Sequence, residues 1–382
     1  MADRALRVLS VFGTRPEAVK MAPVVEYLRR APGVEARVCV TAQHRQMLDQ
    51  VLQLFGITPD FDLDVMEPDQ ALPELTAAIF RGLDPVLEQS RPDWLLVQGD
   101  TTTVLAAALL GYYRRIRVGH VEAGLRTGDK WQPFPEEINR RVAGVVADLH
   151  FAPTERARQN LLREGVASDR IVVTGNPVID ALQSIAARPY DETKGPLAAI
   201  PSGRRVILLT AHRRESFGAP LEGIFSAVKR LALSYADSVH FVYPVHLNPN
   251  VRQPAERLLE GVPNITLIDP LDYLPMVHLL KRCYLVLTDS GGLQEEAPAL
   301  GKPVLVLRQV TERPEAIDAG TARLVGTNPD RIEAETRQLL DDPQAYAAMA
   351  QAANPFGDGH AAERIVEALL EMWSAERGPW SV

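Results

Sequence analysis

The feature that most constrains this 382-residue chain is a repeated alternation of short runs rich in Leu and β-branched residues with longer amphipathic stretches. Runs that are apolar on both faces and spaced by helix-length segments predict parallel strands covered by helices, not antiparallel strands with one wet face. The first series is Leu6–Phe12, Ala36–Thr41, Trp94–Gln98, Arg117–Val121, His150–Pro153 and Ile171–Thr174. A second follows at Val206–Thr210, His240–Pro244, Ile265–Ile268, Tyr284–Thr288, Val304–Leu307 and Arg323–Val325. So many strands would overload a single open sheet. The predicted class is therefore α/β, with two Rossmann-like, doubly wound parallel-sheet domains. The Pro-rich stretch Ala187–Gly203 and the segment Ser168–Gly175 are the places where the chain could change domain. The predicted division is 1–172 and 173–360, with a last helix in 361–382 packing back towards the first domain.

Charge and cysteine content narrow the function classes. The chain carries 41 basic and 49 acidic residues, a formal net charge of −8. That balance argues against a nucleic-acid binder, which would show a basic excess or stripe. Its two cysteines, Cys39 and Cys283, each sit in an apolar run and can build neither a disulfide framework nor a four-cysteine zinc site. No apolar run approaches the ~18 residues of a membrane span. The N-terminal run is interrupted by Arg7 and is not read as a signal peptide. The expectation is a cytoplasmic protein without a membrane partner.

In open parallel sheets, ligands sit beyond the carboxyl ends of strands. Nearly every predicted strand here is followed by polar residues. After the first comes Gly13-Thr14-Arg15-Pro16-Glu17-Ala18-Val19-Lys20, where Arg15 and Lys20 flank a helix N-terminus that suits an anion or are simply solvated bases. After the third comes Gly99-Asp100-Thr101-Thr102-Thr103, whose Asp100 could cap the next helix. In the next strand, alternation puts His120 and Glu122 on one face. A Glu there is expensive unless paired or functional. Pro135-Glu136-Glu137 opens a helix, and either acid could complement its dipole or face the strand ends near Asp100 and Glu122. Three converging carboxylates would suit proton transfer with split pKa values.

The second half offers His212-Arg213-Arg214-Glu215 and His246-Leu247-Asn248-Pro249 after strands. It also holds Asp289-Ser290-Gly291-Gly292-Leu293-Gln294-Glu295-Glu296. Ser290, Gly291 and Gly292 would expose backbone N–H groups to a phosphate, with Glu296 placed for ribose hydroxyls and Arg313 as a further anion contact. HExxH, CxxC, GxSxG and the dinucleotide glycine fingerprint are all missing from the sequence. No ligand spacing supports a metal site.

Taken in order, these blocks resemble the non-hydrolysing UDP-N-acetylglucosamine 2-epimerases. The resemblance runs from Phe12-Gly13-Thr14-Arg15-Pro16-Glu17 through Gly99-Asp100-Thr101-Thr102-Thr103 and His120-Val121-Glu122-Ala123-Gly124. It continues through Pro135-Glu136-Glu137, Thr174-Gly175-Asn176-Pro177, His212-Arg213-Arg214-Glu215 and Ser290-Gly291-Gly292 to Thr311-Glu312-Arg313-Pro314-Glu315. It implies two Rossmann-like domains facing a cleft, as in GT-B glycosyltransferases. The implied reaction interconverts UDP-GlcNAc and UDP-ManNAc without NAD, metal or other cofactor, for cell-surface polysaccharide synthesis, in a homodimer. By resemblance Asp100, Glu122, Glu136 and His212 hold catalytic positions. Arg15, Lys20, Ser290, Gly291, Gly292, Glu296 and Arg313 hold UDP-binding ones. Some members have an allosteric UDP-GlcNAc site, whose positions correspond to Gln43, His44, Gln46, Gln70, Glu136, Arg213 and His246. Asp69 stands where those members carry a base, which counts against effector binding here.

The chemistry implied by the resemblance suits these residue types. The hydrogen on sugar carbon 2 becomes removable once the bond from carbon 1 to UDP breaks and positive charge builds at carbon 1. Carboxylates stabilise such a centre and one can take the proton. Three other readings remain: a hydrolysing epimerase releasing free ManNAc, a GT-B glycosyltransferase, and a non-catalytic UDP-sugar sensor.

Overall fold

The computed structural model describes residues 4–42, 45–67 and 70–375, and for Gln46 its backbone alone. The chain divides into two compact units, one running to Ala181 and resuming at Phe356, the other Leu182–Pro355. This division falls later than the expected 172/173 and earlier than 360/361, for a physical reason. The run at Ile171–Val173 pairs with its neighbour in the first sheet, and the segments beyond it are tied to each other by the Asn176 N–H donating to the Phe356 carbonyl at 2.7 Å.

The first unit has seven strands: β1 (Leu6–Phe12), β2 (Val34–Val40), β3 (Phe61–Asp62), β4 (Trp94–Gln98), β5 (Arg117–Val121), β6 (Leu149–Ala152) and β7 (Ile171–Val173). Every pairing is parallel, in the order β3-β2-β1-β4-β5-β6-β7. β3 escaped the sequence reading because a two-residue edge pairing carries no periodicity. Leu9, Val11, Leu95 and Val97 are fully buried against helices, the two-sided burial that the unbroken apolar runs require. The last helix, Ala361–Ala375, packs on the helix Arg15–Arg30, and Asp180 accepts the N–H groups of Ala361 and Ala362 at its start.

The second unit has β8 (Arg205–Thr210), β9 (Val239–Pro244), β10 (Ile265–Ile268), β11 (Leu285–Thr288), β12 (Val304–Val306) and β13 (Ala322–Leu324). They form a parallel sheet in the order β10-β9-β8-β11-β12-β13, around a core that includes Ile207, Leu209, Phe241 and Leu287. Each expected run lies on a strand. The chain is thus two doubly wound parallel α/β units. Strand order reverses between β1 and β4 in the first sheet and between β8 and β11 in the second. Loops leaving adjacent strands at such a reversal diverge to opposite faces and leave a crevice for a ligand.

Candidate active site

In the first unit, the loops after β1 and β4 flank the reversal and Glu17 ties them together. Its Oε2 accepts the N–H groups of Gly13 and Thr14 at 2.8 and 2.7 Å, while Oε1 accepts the Thr101 hydroxyl at 2.5 Å. Thr14 returns a capping bond to the Glu17 N–H. Burial pushes the Glu17 carboxyl above its ordinary range against the pull of these donors. Gly13 has to be glycine: a Cβ there would fall 1.9 Å from the Thr41 hydroxyl oxygen. Arg15 is exposed at the start of the helix, and Lys20 is half-buried further along it.

β5 ends at Val121, and Glu122 leaves it in the left-handed conformation, φ 62°. That geometry costs a glutamate about 1–3 kcal/mol and persists only where the surroundings enforce it. Glu122 is buried, and its carboxylate accepts from Lys20 Nζ at 2.6 and 2.8 Å, from Gln98 Nε2 at 2.5 Å and from Asn176 Nδ2 at 2.8 Å. The expected expense of an acid in this strand is met by one cation and two amides.

Asp100 follows Gly99, whose φ of 79° suits glycine. The helix Thr102–Tyr113 is capped by Thr101, so the capping reading of Asp100 falls to its neighbour. Asp100 instead accepts from Arg140 Nη2 at 2.5 Å, and its carbonyl accepts from Asn139 Nδ2 at 2.9 Å. Burial pushes the Asp100 carboxyl up; Arg140 opposes this, the charge of Glu122 adds to it, and Lys20 opposes. The Asp100 carboxyl therefore keeps its proton more readily than an exposed aspartate would.

Glu136 opens the helix Glu136–Val146 and shares a face with Asn139 and Arg140, one turn on. Glu137 is fully buried; it accepts the N–H groups of Thr127 and Gly128 and pairs with Arg140 and Arg141. Of the two acids, Glu137 therefore anchors the 127–128 turn, which leaves Glu136 as the candidate. His120 is buried and donates from Nε2 to the Gly99 carbonyl at 2.7 Å. Burial pushes its pKa down to about 4, so it is a neutral prop for the Gly99-Asp100 turn.

In the second unit, the loops after β8 and β11 flank the reversal. The Asp289 Oδ2 accepts the N–H groups of His212 and Arg213 at 2.6 and 2.7 Å. The His212 ring stacks on His246, centroids 5.4 Å apart. Burial lowers the His212 pKa, with Asp289 pulling the other way. Ser290 is the cap residue of the helix Gly291–Ala299, yet its hydroxyl makes no capping bond. Neither Gly291 nor Gly292 has a positive φ. A Cβ on Gly291 would meet nothing within 4 Å, and one on Gly292 only Glu296 Oε2 at 3.5 Å and the Ser290 hydroxyl at 3.9 Å. Neither backbone strain nor protein packing demands glycine there, so the open space over this helix end fits the approach of an anion. Glu296 accepts the Tyr273 hydroxyl at 2.9 Å. Arg313 donates to buried Glu295, and Thr311, bonded to Gln294 at 2.5 Å, accepts the Arg313 N–H.

The structure thus gathers Lys20, Asp100 and Glu122 in one unit, and His212, Arg213, His246 and Ser290 at the strand ends of the other. Sequence reasoning missed Glu17, Gln98, Arg140, Asn176 and Asp289 as members of these clusters. Arg140 had one usable signal, its position four residues after Glu136. Lys20, expected on an anion, is engaged with Glu122. Of the expected effector positions, Gln70 donates to the Val65 carbonyl at 3.2 Å. Gln43, His44, the Gln46 side chain and Asp69 lie outside the described residues. Among the described residues no group of three or more His, Cys, Asp or Glu is placed to hold a metal ion, and no helix is long and apolar enough to cross a membrane. Cys39 and Cys283 are buried, and burial pushes both thiols up to about 12.

Two doubly wound parallel sheets, each with charged residues and glycines in the loops at its reversal, define a two-domain α/β protein. The chain belongs to the UDP-N-acetylglucosamine 2-epimerase family, whose model matches residues 26–370. A UDP-N-acetylglucosamine 2-epimerase of Yersinia pestis is 57 % identical over 370 residues, covering 95 % of this chain and 98 % of that protein. The crystal structure of UDP-GlcNAc 2-epimerase from Neisseria meningitidis bound to UDP-GlcNAc superposes with a TM-score of 0.86 at 48 % identity, over 96 % of this chain and all of that one. The S. aureus MnaA–UDP structure gives a TM-score of 0.87 at 47 % identity, over 97 % of each chain.

Proposed function

We propose that the protein interconverts UDP-GlcNAc and UDP-ManNAc without net hydrolysis, through elimination and re-addition of UDP. The bond from carbon 1 to the β-phosphate oxygen breaks with its electron pair leaving on UDP. The proton on carbon 2 passes to a carboxylate, and the electrons of that C–H bond form the double bond of 2-acetamidoglucal. In the return step UDP re-adds at carbon 1 and a proton enters carbon 2 from the other face. Nothing is oxidised or reduced overall.

The observation that carries this reading is the first unit's cluster: Asp100 with its carboxyl pushed up and paired with Arg140, beside a strained Glu122 gripped by Lys20. A binding module for an anion has no use for a half-buried acid beside a buried one in this arrangement. Asp100, Glu122 and Glu136 are assigned to stabilising charge at carbon 1 and moving the carbon 2 proton. Ser290, Gly291, Gly292, Glu296 and Arg313, with Arg15, are assigned to UDP, whose departing charge cationic groups and a helix N-terminus stabilise; His212 is assigned to the reacting sugar, and Lys20 to holding Glu122.

The test is incubation of UDP-GlcNAc with the protein in deuterated water and no acceptor. The expected result is deuterium at carbon 2 of both UDP-sugars at a stable ratio. Free UDP accumulating with free ManNAc would instead establish the hydrolysing outcome, and absence of deuterium at carbon 2 would remove the proton shuttle altogether.

A further inference from the structure

We propose that Asp289 is a positioning residue that fixes the tautomer of His212, holding the proton on Nδ1 and leaving Nε2 as the bare nitrogen turned to the substrate. The proposal rests on the reading of His212 as a substrate-facing residue. The two residues leave neighbouring strands, β8 and β11, on either side of the second sheet's reversal. Asp289 has no exposed surface. Its two oxygens have different surroundings. Oδ2 accepts two backbone N–H groups, from His212 and Arg213. Oδ1 is sealed from solvent and takes no aligned hydrogen bond among the described residues, yet it lies 3.3 Å from His212 Nδ1. A buried carboxylate oxygen left unsatisfied is costly. A small turn of the imidazole supplies what it lacks, an N–H from Nδ1.

The rest of the loop is built to hold that geometry. The Tyr243 hydroxyl donates to the Ala211 carbonyl at 2.6 Å, immediately before His212. The Asp289 N–H donates to the Thr210 carbonyl at 3.1 Å. The backbone on both sides of the imidazole is therefore pinned, and the ring face is backed by His246. A carboxylate on one ring nitrogen sets which tautomer the other nitrogen presents. With the ring's pKa lowered, Nε2 becomes an acceptor for a hydroxyl of the reacting sugar.

The test compares wild type with Asp289→Asn, which retains an oxygen for the two backbone N–H groups but offers an amide N–H to Nδ1. Nitrogen-15 NMR of histidine-labelled protein is expected to show His212 protonated on Nδ1 in wild type and on Nε2 in the variant. The variant is expected to lose at least about tenfold in kcat while UDP affinity stays within about threefold. Asp289→Asn added to His212→Gln is expected to cost nothing further, since a residue acting through another is non-additive with it. A wild-type His212 protonated on Nε2 overturns the proposal without any variant having to fold, and so does additive loss in the double variant. A His212→Gln protein of full activity would sink the substrate-facing reading of His212 alone and leave the tautomer result standing.

Discussion

Lys20 Nζ lies 2.6 and 2.8 Å from the two oxygens of Glu122, although 102 positions separate the residues in sequence. The lysine comes from the helix after β1, and the glutamate from the end of β5. The pair spans β4, the strand between them in the sheet, whose last residue Gln98 adds its own amide. Both side chains are largely buried, 16 % and 5 % exposed. Removing either therefore leaves the other in a poorly hydrated place.

Lys20→Met should destabilise the protein by about 1–3 kcal/mol, the cost of a buried charge that keeps its amide partners but loses its cation. Adding Glu122→Gln to Lys20→Met should recover part of that loss. Urea denaturation of the two variants checks this, and a double variant less stable than Lys20→Met contradicts it.

Glu122→Gln keeps the shape and the strained backbone but can no longer take a proton. Turnover should fall by at least about 100-fold, in the range that loss of a general acid or base produces. UDP affinity should remain within a few-fold, because UDP is assigned to other residues. Initial rates by product separation, with calorimetry for UDP, provide the two readouts.

Gly291→Ala separates folding from binding. Nothing in the protein lies within 4 Å of the added methyl group, and φ is not positive, so stability should stay level or rise by about 0.4–1 kcal/mol. UDP affinity should drop at least about tenfold, or ~1.4 kcal/mol, because the methyl group occupies the space over the helix end. A variant that binds UDP as well as wild type would mean that the anion does not sit there.

Stability should depend on pH through His120 and His150, neighbours across β5 and β6. Burial pushes their pKa values down to about 4 and about 3, from 6.5. Below pH 6.5 the unfolded chain therefore binds protons that the folded chain refuses. Their stabilising contribution is complete above pH 6.5 and falls as pH drops towards 4, by about 1.4 kcal/mol per pH unit for each histidine. His150→Gln should remove one such increment from the slope of unfolding free energy against pH between 6 and 4. An unchanged slope would show that His150 does not titrate this way.

What could be read from the chain alone was whatever depends on local order along it. Apolar runs such as Leu6–Phe12 and Trp94–Gln98, buried on both faces, specify parallel strands through composition and spacing, and loops after strands specify where polar residues collect. The family blocks were legible for the same reason. Each lies within one strand–loop–helix unit. Partnership was not legible, because contacts such as Asn176 to Glu122, Arg140 to Asp100 and Asp289 to His212 join segments that only the order of strands in a sheet brings together. Local pattern left helix capping open for Asp100 and could not choose between Glu136 and Glu137. Tertiary packing gave the cap to Thr101, spent Glu137 on the 127–128 turn, and turned Lys20 from a free cation into the partner of an acid. The physical reason is that sequence periodicity fixes which face a side chain takes, while burial and charge, which decide what it does there, depend on neighbours supplied from elsewhere in the chain.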